Sequence, residues 1–321
     1  MRLSRWCFVT LLVASASRAE PNDVQLFRLG NVDEIKVCSK CDNTPNDVTA
    51  RPGSPASQEG FARLASELGL AMIPHWLSPA ESLGQAGFEY GISIDFAFVH
   101  GNGKTSAGNP YWVTEGNPTG GAGPTSLAMP TLHIRKGLPF SFEFGGDAAY
   151  IVNSSMVAMT VNGKWALSEG YASLPIPDFA VRGFGTRLVG APGLDLTIVG
   201  IDLGASKAFS LGGIANLTPY VGITYLLLDA ASGVIDFDPF HTQPSRANST
   251  GPEESQSVFH PLKMSSTTFL RPEGGIRLIY GVLVAAVEIS YATGTNAIAD
   301  KDPKSVSTSL FSTGFKLGLD F

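Results

Sequence analysis

The stretch FEYGISIDFAF, residues 88–98, decides the fold. Phe88, Tyr90, Ile92, Ile94, Phe96 and Phe98 are apolar, while Glu89, Gly91, Ser93, Asp95 and Ala97 between them are polar or small. Successive side chains of an extended strand point to opposite faces, so this stretch carries one oily face and one polar face. The C-terminus repeats the pattern: Phe311, Thr313, Phe315, Leu317, Leu319 and Phe321 alternate with Ser312, Gly314, Lys316, Gly318 and Asp320. Both stretches exceed a soluble strand of about five or six residues and match the roughly nine to eleven that a tilted strand needs to cross a bilayer.

Working outward, alternation predicts further strands over residues 126–136, 139–152, 156–168, 177–190, 193–206, 209–228, 261–279 and 282–293. The total is about ten, an even number as in bacterial single-chain barrels. Long connections around residues 101–125, 230–260 and 294–305 roughly alternate with short ones near Lys136 to Pro139 and Ile279 to Gly281, the asymmetry of a membrane barrel. A soluble β-sandwich also alternates, but its strands are shorter and need no aromatic residues near their ends. No segment after the N-terminal leader offers about eighteen uninterrupted apolar residues, which argues against membrane-spanning helices; even the run from Val282 to Ile289 contains Glu288.

An alternating strand that ends in Phe321, with Gly314, Leu317 and Leu319 inside it, resembles the C-terminal signature of bacterial outer-membrane β-barrel proteins. The resemblance covers this strand tightly, although Asp320 and Phe321 extend beyond the internal spacing, and the other strands in alternation only. It implies an all-β fold, a closed antiparallel transmembrane β-barrel, placed in the outer membrane with lipid around it. It also implies that the barrel-assembly machinery reads Gly314, Leu317, Leu319 and Phe321.

Ahead of the barrel, Arg2 and Arg5 precede an apolar run from Trp6 to Ala14 and then the small residues Ser15, Ala16, Ser17 and Ala19. That order predicts a secretory signal over residues 1–19, cleaved before Glu20. Its removal takes three arginines and moves the formal charge from −6 to about −9, an acidic balance that argues against nucleic acid as a partner. Residues 20–86 are expected to form a short periplasmic segment and residues 87–321 the barrel. Cys38 and Cys41 stand in C-x-x-C spacing. Asp42 occupies the place where a haem-binding motif needs histidine, no further Cys or His lies nearby for zinc, and the surrounding prolines and asparagines do not read as a βαβ redox setting, so a local disulfide is expected. Phe61, Leu64, Ala65, Leu68 and Met72 fall at helical spacing until Pro74, which predicts one amphipathic helix that plugs the periplasmic mouth, packs against a partner, or serves a core-forming or surface-docking role, since periodicity shows an apolar face and not its target. Ser78-Pro79-Ala80-Glu81 reads as a capping box opening one extra helical turn.

Backbone amides in hydrocarbon have no water to satisfy them, so the first strand must pair with the last. The face opposite the lipid then gathers Glu89, Asp95, Lys316, Glu288, Arg271, Glu273 and Arg277, with His133, Arg135, Glu143, Lys164 and Arg182 inward by the same parity. These charges either cross-link a filled lumen, favoured because interiors near this strand number are about filled by side chains, or line a selective path. The function expected is passive passage or uptake of small solutes through a narrow charged lumen; the alternative is a closed structural or interaction barrel with exposed loops. A rim hydrolase is a third reading, resting on Asp236, Asp238 and His241 with Glu253 and Glu254 in the longest loop. No nucleophile elbow, zinc-protease helix or phosphate loop is present, so no catalytic residue, metal or cofactor is assigned.

Overall fold

The computed structural model describes residues 20–29, 57–117, 123–168, 176–236, 256–297 and 305–321. Ten long strands follow one another: β1 (Phe88–Phe98), β2 (Leu127–Leu138), β3 (Phe142–Tyr150), β4 (Val157–Ala166), β5 (Asp178–Val189), β6 (Leu194–Ser206), β7 (Ala215–Ser232), β8 (Thr267–Tyr280), β9 (Leu283–Ala297) and β10 (Ser305–Asp320). Each pairs antiparallel with the next. β10 then returns to β1, in a register running from Glu89 opposite Asp320 to Phe98 opposite Phe311. Phe88 and Phe321 finish the seam by exchanging two backbone hydrogen bonds of 2.9 Å. The sheet is therefore a closed barrel, in which every strand has a neighbour on both sides.

Alternation sets the two faces. Ile92, Ile94, Phe144, Val161, Ile201, Val221, Ile289 and Leu317 are exposed on the outside, whereas Glu89, Ser93, Asp95 and Lys316 are buried within. At one end the connections are residues 139–141, 167–177, 207–214 and 281–282; at the other they include residues 99–126 and 233–266. The stretch read as one strand over 209–228 is two pieces. Gly212 and Gly213, at φ 60 and 76, turn the chain after the short strand Phe209–Leu211, and β7 starts at Ala215. Positive φ is the conformation glycine adopts without steric cost, which is why the break falls there.

The N-terminal segment departs most from expectation, because its described residues lie within and across the barrel and not beneath it. Residues 20–29 cap the mouth that carries the long connections, where Asn22 N–H donates to the Asn153 carbonyl at 2.8 Å and Gln25 N–H to the Val113 carbonyl at 3.1 Å. Helix α1 (Gln58–Ala71), capped by the Ser57 hydroxyl accepting from Gly60 N–H, lies in the adjoining half of the lumen. From Met72 the chain descends without regular structure to the short-turn mouth, where Gly137 N–H donates to the Gly87 carbonyl at 2.9 Å. No helical turn forms at Ser78-Pro79-Ala80-Glu81. Wall side chains claim those backbone groups instead: Lys164 donates to the carbonyls of Pro79 and Glu81, and Ala80 N–H donates to Ser206. Cys38 and Cys41, like the leader over residues 1–19, fall outside the described residues.

Candidate functional site

The lumen has two halves of different chemistry. Towards the long connections it is apolar: Leu196 and Ile198 of β6, Leu226 and Leu228 of β7 and Phe269 of β8 surround Phe61, Leu64 and Leu68 of α1 in one buried cluster. Gly69 lets the helix close on the wall, since a side chain there would begin 2.3 Å from Leu228 Cδ1. Phe61 also stacks on Phe259, centroids 4.7 Å apart. The spacing of the sequence exposes one apolar face, but a helix inside a cylinder has no solvent side, and Ser66 and Glu67 are buried as well. Glu67 is satisfied by Tyr111 OH at 2.5 Å, Trp112 Nε1 at 2.7 Å and His100 N–H at 2.9 Å, which binds the loop after β1 over the helix. Burial, with the Glu67 carboxylate beside it, pushes the Tyr111 phenol above its ordinary value of 10.0.

Towards the short turns the lumen is ionic. Glu89, Asp95, His133, Arg135, Glu143, Lys164, Arg182, Arg271, Glu273, Arg277, Glu288 and Lys316 all point inward and are buried. Glu89 joins Arg135 at 2.5 Å and Lys316 more closely still, across β2, β1 and β10. Glu143 holds Lys164 at 3.0 Å, Arg271 meets Glu273 at 2.5 Å, and Arg277 reaches Asp320 at 2.9 Å. Two acids were missed from the sequence, Asp202 paired with Arg182, and Asp147 bonded to His133 at 2.7 Å. Parity could have found Asp202, since it continues the inward series of Leu194, Leu196 and Ile198 on β6.

This ionic wall grips the descending segment by its backbone. Glu288 accepts from Trp76 N–H at 3.2 Å, Leu77 N–H at 2.7 Å and Tyr220 OH at 2.9 Å, and bonds His75 Nδ1 at 2.8 Å. Arg271 donates to the carbonyls of Ile73 and Pro74, and Arg182 to those of Pro74 and His75. Glu143 accepts from Leu83 N–H at 2.6 Å. The Trp76 indole sits over Gly204 and Gly222, which face each other across β6 and β7, and a Cβ on Gly204 would fall 1.8 Å from the ring. Arg182 stacks over the same indole at 5.4 Å. Beside these groups lies a cavity of about 10 Å³ lined by His75, Trp76, His133, Arg135, Asp147 and Lys164 among others, space for about one water.

One cluster brings a serine, a histidine and two carboxylates together in the lumen. His133 bonds Asp147 through Nδ1 at 2.7 Å and Ser93 Oγ through Nε2 at 2.8 Å. Ser93 Oγ also lies 3.0 Å from Asp95, so its single proton has two acceptors within reach, the Asp95 carboxylate and the His133 imidazole. At the C-terminus, Gly314 faces inward against His75 and Asp95, Leu317 and Phe321 are exposed outside, and Leu319 pairs with Tyr90. Asp238, His241, Glu253 and Glu254 lie outside the described residues, as does the side chain of Asp236.

No family model matches the chain, and no curated protein matches it. Among solved structures it is similar to Neisserial surface protein A, at 12% identity and TM-score 0.27 over 73% of this chain and 95% of that one. It is also similar to the outer membrane protein OprG from Pseudomonas aeruginosa, at 8% identity and TM-score 0.25 over 76% and 99%. A third is LpxR from Salmonella typhimurium, at 10% and 0.30 over 71% and 99%. Likeness at this level adds nothing to the strand register, which by itself establishes the architecture. The chain is a closed, ten-stranded antiparallel β-barrel whose lumen is occupied by its own N-terminal segment.

Proposed function

We propose that this is a bacterial outer-membrane barrel held closed by its own N-terminal segment, serving as a scaffold that presents its long-connection end and not as an open solute channel. One observation carries this reading: the wall satisfies the plug's backbone at successive points from Ile73 to Leu83, and the cavity beside that segment, about 10 Å³, has room for about one water. A water-filled path would instead leave those wall groups hydrated. The outer-membrane setting is supported by the apolar outer face, whose hydrocarbon-facing strands must be closed on themselves.

In outer-membrane barrels the short turns face the periplasm and the longer loops the exterior. By that rule the mouth capped by residues 20–29 faces outward, opposite to the periplasmic position expected from the sequence. Ser57 N–H donates to the Leu29 carbonyl at 3.0 Å, so Leu29 and Ser57 meet at that same mouth. Passage of solutes is a second reading, favoured by one feature: the lower plug is held by hydrogen bonds and ions, which water can replace, and not by apolar packing. Rim hydrolysis rests on residues outside those described and gains no support.

Planar-bilayer recording of the full chain tests the proposal. Silent membranes, from protein that migrates differently on gels when boiled and unboiled, are the expected result. Stepwise conductance from the unmodified chain would refute closure and favour passage.

A further inference from the structure

We infer that the amino group released when the leader is cut before Glu20 docks on Asp23 as an ammonium, so that processing locks the cap over the long-connection mouth; this rests on the leader reading of residues 1–19. The backbone already lays the contact out. Glu20 N–H donates to Asp23 Oδ2 at 2.8 Å, and Asp23 N–H donates to the Glu20 carbonyl at 2.9 Å, closing a tight turn. The other carboxylate oxygen holds the barrel: Asp23 Oδ1 accepts from Ser155 N–H at 2.6 Å and from the Ser155 hydroxyl at 2.9 Å, in the connection after β3. The neighbours of the turn are fixed as well. The Pro21 carbonyl accepts from Gly116 N–H at 2.9 Å, the Asp23 carbonyl from Glu115 N–H at 3.1 Å, and the Asn22 amide donates to the Val152 carbonyl at 2.8 Å. The chain is thus held in place from residue 20 onward.

What this turn lacks is a positive charge. Asp23 is 8% exposed, and among the described residues no lysine, arginine or histidine forms an ion pair with it. The cap over residues 20–29 carries one cation, Arg28, and Arg28 is paired with Glu115 at 3.7 Å. A carboxylate taken out of water is costly unless an opposite charge meets it, and neutral donors offset only part of that loss. In the uncut chain, position 20 offers Asp23 a neutral amide N–H. Hydrolysis of the Ala19–Glu20 peptide bond leaves a carboxylate on Ala19 and an amine on Glu20, which takes up a proton at neutral pH. The nitrogen that already faces Asp23 Oδ2 then becomes a cation, and the hydrogen bond is charge-assisted at both ends. No rearrangement of the turn is needed. The same cap residues therefore sit more firmly in the processed chain than in its precursor, which places the locking of the mouth after leader removal.

The test has two parts. N-terminal sequencing of the exported protein should give Glu20 as the first residue. The processed chain, residues 20–321, is then folded with its α-amine free or acetylated, because acetylation removes the charge and keeps an N–H, each with Asp23 and with Asp23→Asn. Amide exchange over residues 20–29 and over the connection at residues 151–156 reads the cap. Acetylation should speed exchange on the order of threefold in the wild-type background, the range of an ion pair with one solvated partner, and should leave Asp23→Asn unchanged. Exchange unaffected by acetylation in the wild-type background would overturn the inference, and that pair decides the matter even where Asp23→Asn does not fold. An equal acetylation effect in Asp23→Asn would place the partner of the amine elsewhere and overturn it too. A first residue other than Glu20 would remove the leader position beneath it, a failure distinguishable from the others because exchange is measured on a chain whose terminus is set at Glu20.

Discussion

Replacing Glu288 by alanine should unseat the plug while leaving the barrel folded. Four donors meet this carboxylate: the backbone N–H groups of Trp76 and Leu77, the His75 ring and the Tyr220 hydroxyl, at 2.7 to 3.2 Å. A buried donor left without its partner costs about 1–3 kcal/mol, but four such penalties do not add when water enters with the vacancy. Removing one partner of a buried charged cluster costs about 3–5 kcal/mol, the better figure for the whole loss. At about 1.4 kcal/mol per decade, the displaced plug becomes more populated on the order of a hundredfold to several thousandfold. The barrel's own register involves Glu288 only through its backbone, opposite Gly275 and Gly314. Wild-type bilayers should thus be silent and Glu288→Ala bilayers should show openings, with the same gel shift on boiling and with amide exchange accelerated over residues 73–83. Glu288→Ala bilayers as silent as wild type, with unchanged exchange over that segment, would refute the idea that this carboxylate holds the plug.

Gly204→Val should have a similar outcome by steric means: even its Cβ would lie 1.8 Å from the Trp76 ring, so the indole must leave its slot at about 1–3 kcal/mol for overpacking, read as altered tryptophan fluorescence and conductance in a folded barrel. Ile94→Asp puts a charge on the lipid side of β1, where Ile94 is 51% exposed; a penalty of about 2–4 kcal/mol near mid-bilayer should lower the yield of heat-modifiable protein, and unchanged assembly would contradict the inward and outward assignment. Tyr111 should titrate above the ordinary tyrosine value, because burial and the neighbouring Glu67 raise it. Its folded value lies above its unfolded one, so the protonated phenol stabilises the loop fully below about pH 10 and that stabilisation is lost as pH climbs further. Phenolate absorbance in wild type and Tyr111→Phe measures it: the two should titrate alike near pH 10, and loss of one phenolate step near pH 10 in the variant would be the contrary result.

What the sequence discloses and what it hides divide along one line. Each strand separates hydrocarbon from interior, so parity alone distinguishes Ile94 from Ser93 and sends every charged candidate inward. Parity says nothing about what fills the cylinder. Phe61, Leu64 and Leu68 declare an apolar helix face, yet its target, Leu196, Ile198 and Leu228, becomes adjacent only once ten strands have closed. The Trp76 seat is hidden for the same reason, since Gly204 and Gly222 are eighteen residues apart and meet through register. The capping-box reading failed where a local preference of about 1 kcal/mol met Lys164 and Ser206, which bond the same backbone in an extended path.

The plug should open from its ionic half first. The upper half is held by burial: Phe61, Ala62, Leu64 and Leu68 are fully enclosed, and exposing even a few such side chains costs about 1.5–3 kcal/mol each. The lower half is held by hydrogen bonds, whose net worth is about 0.5–1.5 kcal/mol for a neutral pair and about 1.5–3 for a charged one, and its partners can be exchanged for water. Several of its polar atoms, Trp76 Nε1, Glu273 Oε1 and Arg271 Nε among them, lack a partner within the protein, so hydration of that half also satisfies groups the closed state leaves wanting. Native-state hydrogen exchange should therefore rank residues 73–83 below α1 in opening free energy, with the gap widening in Glu288→Ala. Exchange of α1 at or before residues 73–83 would mean that the helix, not the ionic cradle, is the weaker closure.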